Sequence, residues 1–147
     1  HDKYQDESFS NFFKFTFVRN PYDRAVSYYT MITRERVSFF DFIQAYFERM
    51  SKFNRFTKCK MLYFIKNEHN NKINVDFIGR YENLNSDFKE LCSILKIQYK
   101  DLPHLNKSKR KYKDYRKYYN SNSYDLVSDF FKDDLEYFKY SFDWNHV

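Results

Sequence analysis

The sequence predicts an α/β fold in which short parallel strands pack against helices. A buried-strand pattern leads into a helix start twice, first at residues 12–18 and again at residues 75–79, and helical sequence separates the two units. Parallel strands need such crossover segments. The 147 residues, 42% of them hydrophobic, are enough for one core. We therefore expect a single domain over residues 1–147.

The first strand and the first helix meet at an Arg-Asn-Pro turn. Residues 12–18 (FFKFTFV) are rich in Phe and Val, as a largely buried strand would be. Asn20 is a good N-cap, Pro21 suits the first helical position, and Asp23 favours the positive end of a helix. These signals predict a helix over residues 21–34.

Apolar spacing predicts the second and third helices. Ser38 and Asp41 form a capping pattern before an amphipathic helix that carries Phe39, Ile43 and Phe47. A third helix is expected over residues 56–66, and it ends at a polar loop.

The second half of the chain repeats the strand and helix order. Residues 75–79 (VDFIG) predict a short strand, and the next helix has its apolar positions at Leu84, Phe88, Leu91, Cys92 and Leu95. After a loop at residues 101–110, one closing helix is expected from about Ser121, with an apolar face made of Val127, Phe130, Phe131, Leu135 and Phe138.

Charge and cysteine content limit the possible partners. The formal charge is +6, and residues 107–117 hold seven Lys or Arg against one acid. This run is either a solvated surface or a site for a polyanion, and its interleaved tyrosines leave a nucleic-acid-binding module open. The chain has no RNA-recognition, helix-turn-helix or zinc-finger signature, so no nucleic acid is expected. Cys59 and Cys92 lack paired spacing, so we expect buried thiols and no metal site.

Arg19 follows the first predicted strand, where α/β folds collect their ligands. Its guanidinium can make two hydrogen bonds to a phosphate, and Ser27, two helical turns later, can add a hydroxyl donor. Arg24 would stay at the surface or pair with Asp23. The alternative for Arg19 is an ion pair with a carboxylate such as Glu82.

Three ordered motifs resemble one enzyme family. Residues 17–29 (FVRNPYDRAVSYY) resemble the 3′-phosphate-binding segment of carbohydrate sulfotransferases that use 3′-phosphoadenosine 5′-phosphosulfate (PAPS). The resemblance is to the chondroitin, dermatan and HNK-1 type, sulfotransferase family 2. Residues 76–84 (DFIGRYENL) resemble that family's second strand and helix, and residues 102–108 (LPHLNKS) with 134–140 (DLEYFKY) resemble its C-terminal part.

The resemblance implies a P-loop-like three-layer sulfotransferase fold, here helix-rich with a short parallel sheet. It implies transfer of a sulfuryl group from PAPS to a hydroxyl of a glycan or another acceptor, without a metal. Arg19 and Ser27 would hold the 3′-phosphate. Asn106, Lys107 and Ser108 would close over the nucleotide or the acceptor, although a basic loop could equally be plain surface.

The family's other nucleotide site is a loop resembling Pro-Lys-Thr-Gly-Gly-Thr, and this chain has only Gly79. We therefore expect the fold to be incomplete at its N-terminus, either as a piece of a larger enzyme or as a truncated, inactive relative. His104 is the candidate catalytic base within a motif, with a structural or solvent-exposed role as the alternative. Lys58 and Lys60 would attract an acidic sugar or serve as surface charges.

No stretch approaches the ~18 apolar residues of a membrane helix, and no signal peptide opens the chain. Membrane association is expected only through segments outside this sequence. By the resemblance, the compartment would be the cytoplasm for a bacterial protein, or the Golgi membrane facing the lumen for an animal one.

Overall fold

The computed structural model of the protein describes residues 11–52, 59–67, 70, 72–103, 105 and 110–144. These residues form two compact units. One contains the described residues up to Val18 and those of Ile65–Lys100. The other contains the described residues of Arg19–Phe64 and those from Asp101 onward.

The protein is helix-rich with a short parallel sheet, as the sequence predicts. The elements in chain order are β1 (Phe15–Val18), α1 (Pro21–Thr33), α2 (Phe39–Lys52), α3 (Met61–Ile65), β2 (Phe77–Arg80), α4 (Leu84–Ile94), α5 (Ser121–Phe130) and α6 (Lys132–Phe138). Two 3₁₀ helices, Tyr81–Asn83 and Tyr115–Tyr118, precede α4 and α5 respectively.

The sheet of the first unit pairs β1 with β2 in parallel, with Phe15 opposite Phe77 and Phe17 opposite Gly79. The predicted parallel pair is confirmed, although β1 begins later than residue 12 and β2 runs on to Arg80. The pairing starts where Asp76 accepts a hydrogen bond from the Lys14 N–H at 2.7 Å through its carboxylate.

Gly79 is needed where the two strands meet. A Cβ atom at this position would overlap the ring of Phe17, which lies directly opposite. Beyond β2, the Asp87 carboxylate accepts the Arg80 N–H at 2.6 Å and so joins the end of β2 to α4. Leu91 and Cys92 of α4 are buried.

The helix starts of the second unit follow the sequence signals. Asn20 Oδ1 accepts the Tyr22 N–H at 2.9 Å, with Pro21 at the start of α1. Ser38 Oγ accepts the Asp41 N–H at 3.1 Å before α2. Both predicted caps are confirmed.

Two predicted helices differ from those observed. The third helix, expected over residues 56–66, occupies only Met61–Ile65 in the part of the chain that the structure describes. The prediction of a single closing helix is wrong, because α5 and α6 are separated at Phe131. The φ of −101° and ψ of 18° at Phe131 depart from helical values. The break turns α6 so that its first-turn residue Asp134 is buried.

The core of the second unit is aromatic. The rings of Phe47 and Phe130 stack at 3.9 Å between centroids, which fastens α2 to α5. Tyr119 donates a hydrogen bond to the Tyr22 carbonyl at 2.9 Å. This core contains Tyr22, Ala25, Val26, Tyr29, Phe39, Ile43, Phe47, Tyr119, Val127, Phe130 and Phe131.

Both cysteines are free thiols. Cys92 is buried as predicted, whereas Cys59 is only half-buried and lies 3.4 Å from the Tyr46 hydroxyl. Among the helices described, none combines the length and the apolar character that a membrane crossing requires.

Candidate functional site

The candidate site lies along the first two turns of α1. Arg19 comes immediately before the N-cap Asn20, so its side chain lies beside the first turn of the helix. Asp23 and Ser27 are four residues apart and therefore share one helix face. The cap that starts the helix thus also fixes where the Arg19 side chain can reach.

Arg19 contacts both of these helix residues. Its Nη1 donates to Ser27 Oγ at 3.2 Å, and its Nε donates to Asp23 Oδ2 at 2.7 Å. The Nη2 of Arg19 lies 2.6 Å from the same carboxylate oxygen. The structure thus brings Arg19 and Ser27 together, and the predicted alternative of a carboxylate partner for Arg19 is met by Asp23.

Arg110 is a second cation at this site that the sequence did not single out. Its Nη1 lies 2.5 Å from Asp23 Oδ1, and its Nη2 lies 3.4 Å from the Asp23 carbonyl. Only 10% of its side chain is exposed, and its Nε finds no hydrogen-bond partner among the described residues. Two cations and one anion leave this cluster with one net positive charge.

No local sequence signal distinguishes Arg110 from its basic neighbours. It is one of the seven Lys and Arg residues in the basic run at residues 107–117, and nothing in that run marks it as buried. It meets Asp23 across 87 positions of sequence. A contact of that range leaves no local pattern.

Arg24 does not take the place that the sequence suggested. It neither stays at the surface nor pairs with Asp23. Its Nη2 donates to the Cys59 carbonyl at 2.5 Å and lies 3.9 Å from Asp134, while its guanidinium stands 4.9 Å from the centre of the Phe131 ring. Burial lowers the pKa of Arg24, and the nearby Asp134 charge opposes that shift. Asp23 already pairs with Arg19 and Arg110, which explains why Arg24 has other partners.

Asp134 is a fully buried carboxylate that connects to the site through Met61. It accepts the backbone N–H groups of Met61 at 2.8 Å and Leu62 at 2.9 Å, the first turn of α3. Burial raises the pKa of Asp134, and these two hydrogen bonds counteract the shift. Met61 Sδ in turn accepts the Arg19 N–H at 3.4 Å. Asp134 therefore holds the residue that contacts the Arg19 backbone.

The other predicted site residues divide into two groups. Lys60 makes an ion pair with Asp133 at 2.6 Å, and about a fifth of its side chain is exposed. The remaining positions lie outside the described residues, namely Lys58, His104, Asn106, Lys107 and Ser108. The described part of the chain contains no histidine and no cluster of three metal-ligating side chains.

This arrangement is suited to binding an anion. Two guanidinium groups meet at Asp23 in the first turn of a 13-residue helix, and one of them also contacts the Ser27 hydroxyl in the second turn. The net positive charge and the helix N-terminus both favour a negative ligand. The model of the Sulfotransferase family matches residues 1–141. No curated protein and no solved structure gives a significant match.

Proposed function

The chain belongs to the sulfotransferase family, and from this premise we propose that it acts with PAPS as donor and transfers the sulfuryl group to a hydroxyl of a carbohydrate acceptor. The observation that carries the proposal is the contact between Arg19 and Ser27 at the start of α1. Both side chains can donate hydrogen bonds to one phosphate group, and the 3′-phosphate distinguishes PAPS from most adenine nucleotides.

The residues present fit a phosphate group. Arg19 offers a planar fork of donors, Ser27 offers a hydroxyl, and the first turn of α1 adds the positive end of the helix dipole. When bound, PAPS would supply the sulfuryl group that is transferred. Arg19 and Ser27 would hold the donor by a group remote from the reacting sulfur and so orient it.

The remaining roles stay predictions from the sequence. Asn106, Lys107 and Ser108 are proposed to close over the nucleotide or the acceptor, and His104 is the candidate base for the acceptor hydroxyl. The carbohydrate acceptor and the chondroitin, dermatan and HNK-1 subtype rest on the resemblance of the three sequence motifs. Incubation with PAPS and a panel of desulfated glycans would test this part of the proposal.

Calorimetric titration of the complete protein with adenosine 3′,5′-bisphosphate tests the donor site. Arg19→Ala should weaken binding by about ten- to a hundredfold, because a charge-assisted hydrogen bond contributes about 1.5–3 kcal/mol. Ser27→Ala should weaken binding by a smaller factor, since it removes one neutral donor. Arg49→Ala, at an exposed position of α2, is the matched control and should bind like the parent chain.

A second ligand makes the test specific. Adenosine 5′-monophosphate lacks the 3′-phosphate, so Arg19→Ala should leave its affinity unchanged. An equal loss for both nucleotides would show that Arg19 contacts another part of the ligand. A folded full-length protein, with its natural upstream sequence, that binds neither nucleotide would contradict the donor assignment and favour the inactive relative.

A further inference from the structure

We propose that Asp23 holds Arg19 and Arg110 as a two-arginine clamp on a single phosphate group. In this clamp Arg110 is a second phosphate ligand, and Asp23 is the positioning residue for both guanidinium groups. The inference rests on the proposed function, because it concerns the same phosphate that Arg19 and Ser27 are proposed to bind.

The first support is the geometry around the Asp23 carboxylate. One oxygen, Oδ2, faces Nε and Nη2 of Arg19 at 2.7 and 2.6 Å, and the other, Oδ1, faces Nη1 of Arg110 at 2.5 Å. The carboxylate thus fixes two long, flexible side chains on either side of itself. Ordering them before the ligand arrives removes part of the entropic cost of binding.

The second support is the state of Arg110. Its side chain is nine-tenths buried, yet its Nε has no acceptor among the residues the structure describes. A buried donor without a partner is uncommon and unfavourable in a folded protein. A phosphate oxygen beside Arg19 would supply the missing acceptor, which an ion pair with Asp23 alone does not.

The third support is that the charge of Asp23 is unfavourable for phosphate binding, so electrostatics alone does not explain its position in the site. A carboxylate beside an incoming phosphate repels it, so a site shaped only by charge would bind the anion better without Asp23. A positioning role makes the opposite prediction, because loss of Asp23 would release both arginines. The sign of the change in affinity therefore separates the two explanations.

The experiment is calorimetric titration of the complete protein and its variants with adenosine 3′,5′-bisphosphate. Asp23→Asn keeps the size of the side chain but presents an amide N–H₂ to one of the two arginines. We expect it to bind about fivefold or more weakly, despite losing a negative charge. Arg110→Gln should bind about tenfold more weakly, the loss expected for one charge-assisted hydrogen bond. Neither change should alter the affinity for adenosine 5′-monophosphate.

The control and a double variant test whether the residues act together. Asp125→Asn removes an exposed carboxylate from α5 in the same unit, and it should leave the affinity unchanged or slightly raise it. Adding Asp23→Asn to Arg110→Gln should cost less than Asp23→Asn costs alone, since one of the two arginines it holds is already gone.

Each result supports or overturns the clamp. Unchanged or tighter binding by Asp23→Asn overturns the positioning role, and unchanged binding by Arg110→Gln overturns the second ligand. If circular dichroism shows that Asp23→Asn is unfolded, Arg110→Lys decides. That variant keeps the positive charge but lacks the planar guanidinium group. It should still lose most of the tenfold in affinity that Arg110→Gln loses. If Arg19→Ala loses binding while Asp23→Asn and Arg110→Gln bind normally, the clamp is contradicted but the proposed function is not. If the complete parent protein does not bind the nucleotide, both are contradicted.

Discussion

Replacing the buried Asp134 with alanine should destabilise the protein far more than the same change at its neighbour Asp133. Asp134 accepts the N–H groups of Met61 and Leu62 at 2.8 and 2.9 Å, and no part of its side chain is exposed to solvent. Asp133 has 59% of its side chain exposed and pairs with Lys60 at 2.6 Å. The two positions are adjacent in the sequence, so the pair isolates the effect of burial.

The magnitude follows from the groups left without partners. Each buried N–H that loses its acceptor costs about 1–3 kcal/mol. The guanidinium of Arg24, 3.9 Å away, also loses its nearest carboxylate. Removing a buried carboxylate relieves its own desolvation, which is the cause of its raised pKa, and this offsets part of the loss. We expect a net loss of about 3 kcal/mol for Asp134→Ala and under about 1 kcal/mol for Asp133→Ala.

Urea unfolding followed by circular dichroism measures both values. The structure adds a second readout, because Asp134 holds Met61, whose sulfur accepts the Arg19 N–H. Folded Asp134→Ala should therefore also bind adenosine 3′,5′-bisphosphate more weakly than Asp133→Ala does. Equal stability losses for the two variants would refute the reasoning, since they would mean that the buried hydrogen bonds contribute no more than an exposed ion pair.

Two further predictions concern the sheet and the 3₁₀ helix before α5. Gly79→Ala should lower the free energy of unfolding by about 1–3 kcal/mol, because its Cβ would overlap the Phe17 ring. Urea unfolding in a Phe17→Leu background should show a smaller loss, and an equal loss would argue against the clash. The hydrogen bonds from Arg116 lower the pKa of Asp114, so their stabilisation is present above the ordinary carboxyl pKa and is lost as the pH falls through the lowered one. Arg116→Ala should return the Asp114 pKa toward its ordinary value in a carbon-13 NMR titration, and an unshifted pKa would contradict the assignment.

Local sequence signals predicted those features of the fold that depend on neighbouring residues. The start of α1 needs only Asn20, Pro21 and Asp23 in order, and all three lie within one turn. The parallel pairing of β1 and β2 followed from two strand-to-helix units and the helical sequence between them. That Arg19 and Ser27 lie on the same side of α1 was predictable because a helix start fixes which residues face the preceding chain, whereas their direct hydrogen bond was not predicted.

Features that depend on distant residues were not predictable in the same way. The apolar spacing of the closing segment continues through Phe131, so periodicity alone gives one helix where the structure has α5 and α6. The break is accompanied by a tertiary contact, because Asp134 accepts the Met61 N–H at the start of α3 across 73 positions of sequence. The same limit applies to Arg110, whose partner Asp23 is 87 positions away.

The residues of helix α1 form three sets with different contacts. Substitutions in each set should therefore have different effects on stability and on ligand binding. One face carries Asp23 and Ser27 toward Arg19, and Arg24 faces the Cys59 carbonyl and Asp134. The buried side chains lie on the remaining face, namely Tyr22, Ala25, Val26, Tyr29 and Thr30. Changes on the buried face remove core packing and should lower stability first, whereas changes at Ser27 should remove a proposed phosphate contact with little loss of packing. A short motif can therefore encode both a helix and a binding site, because a period of 3.6 residues places the two sets of side chains on different sides.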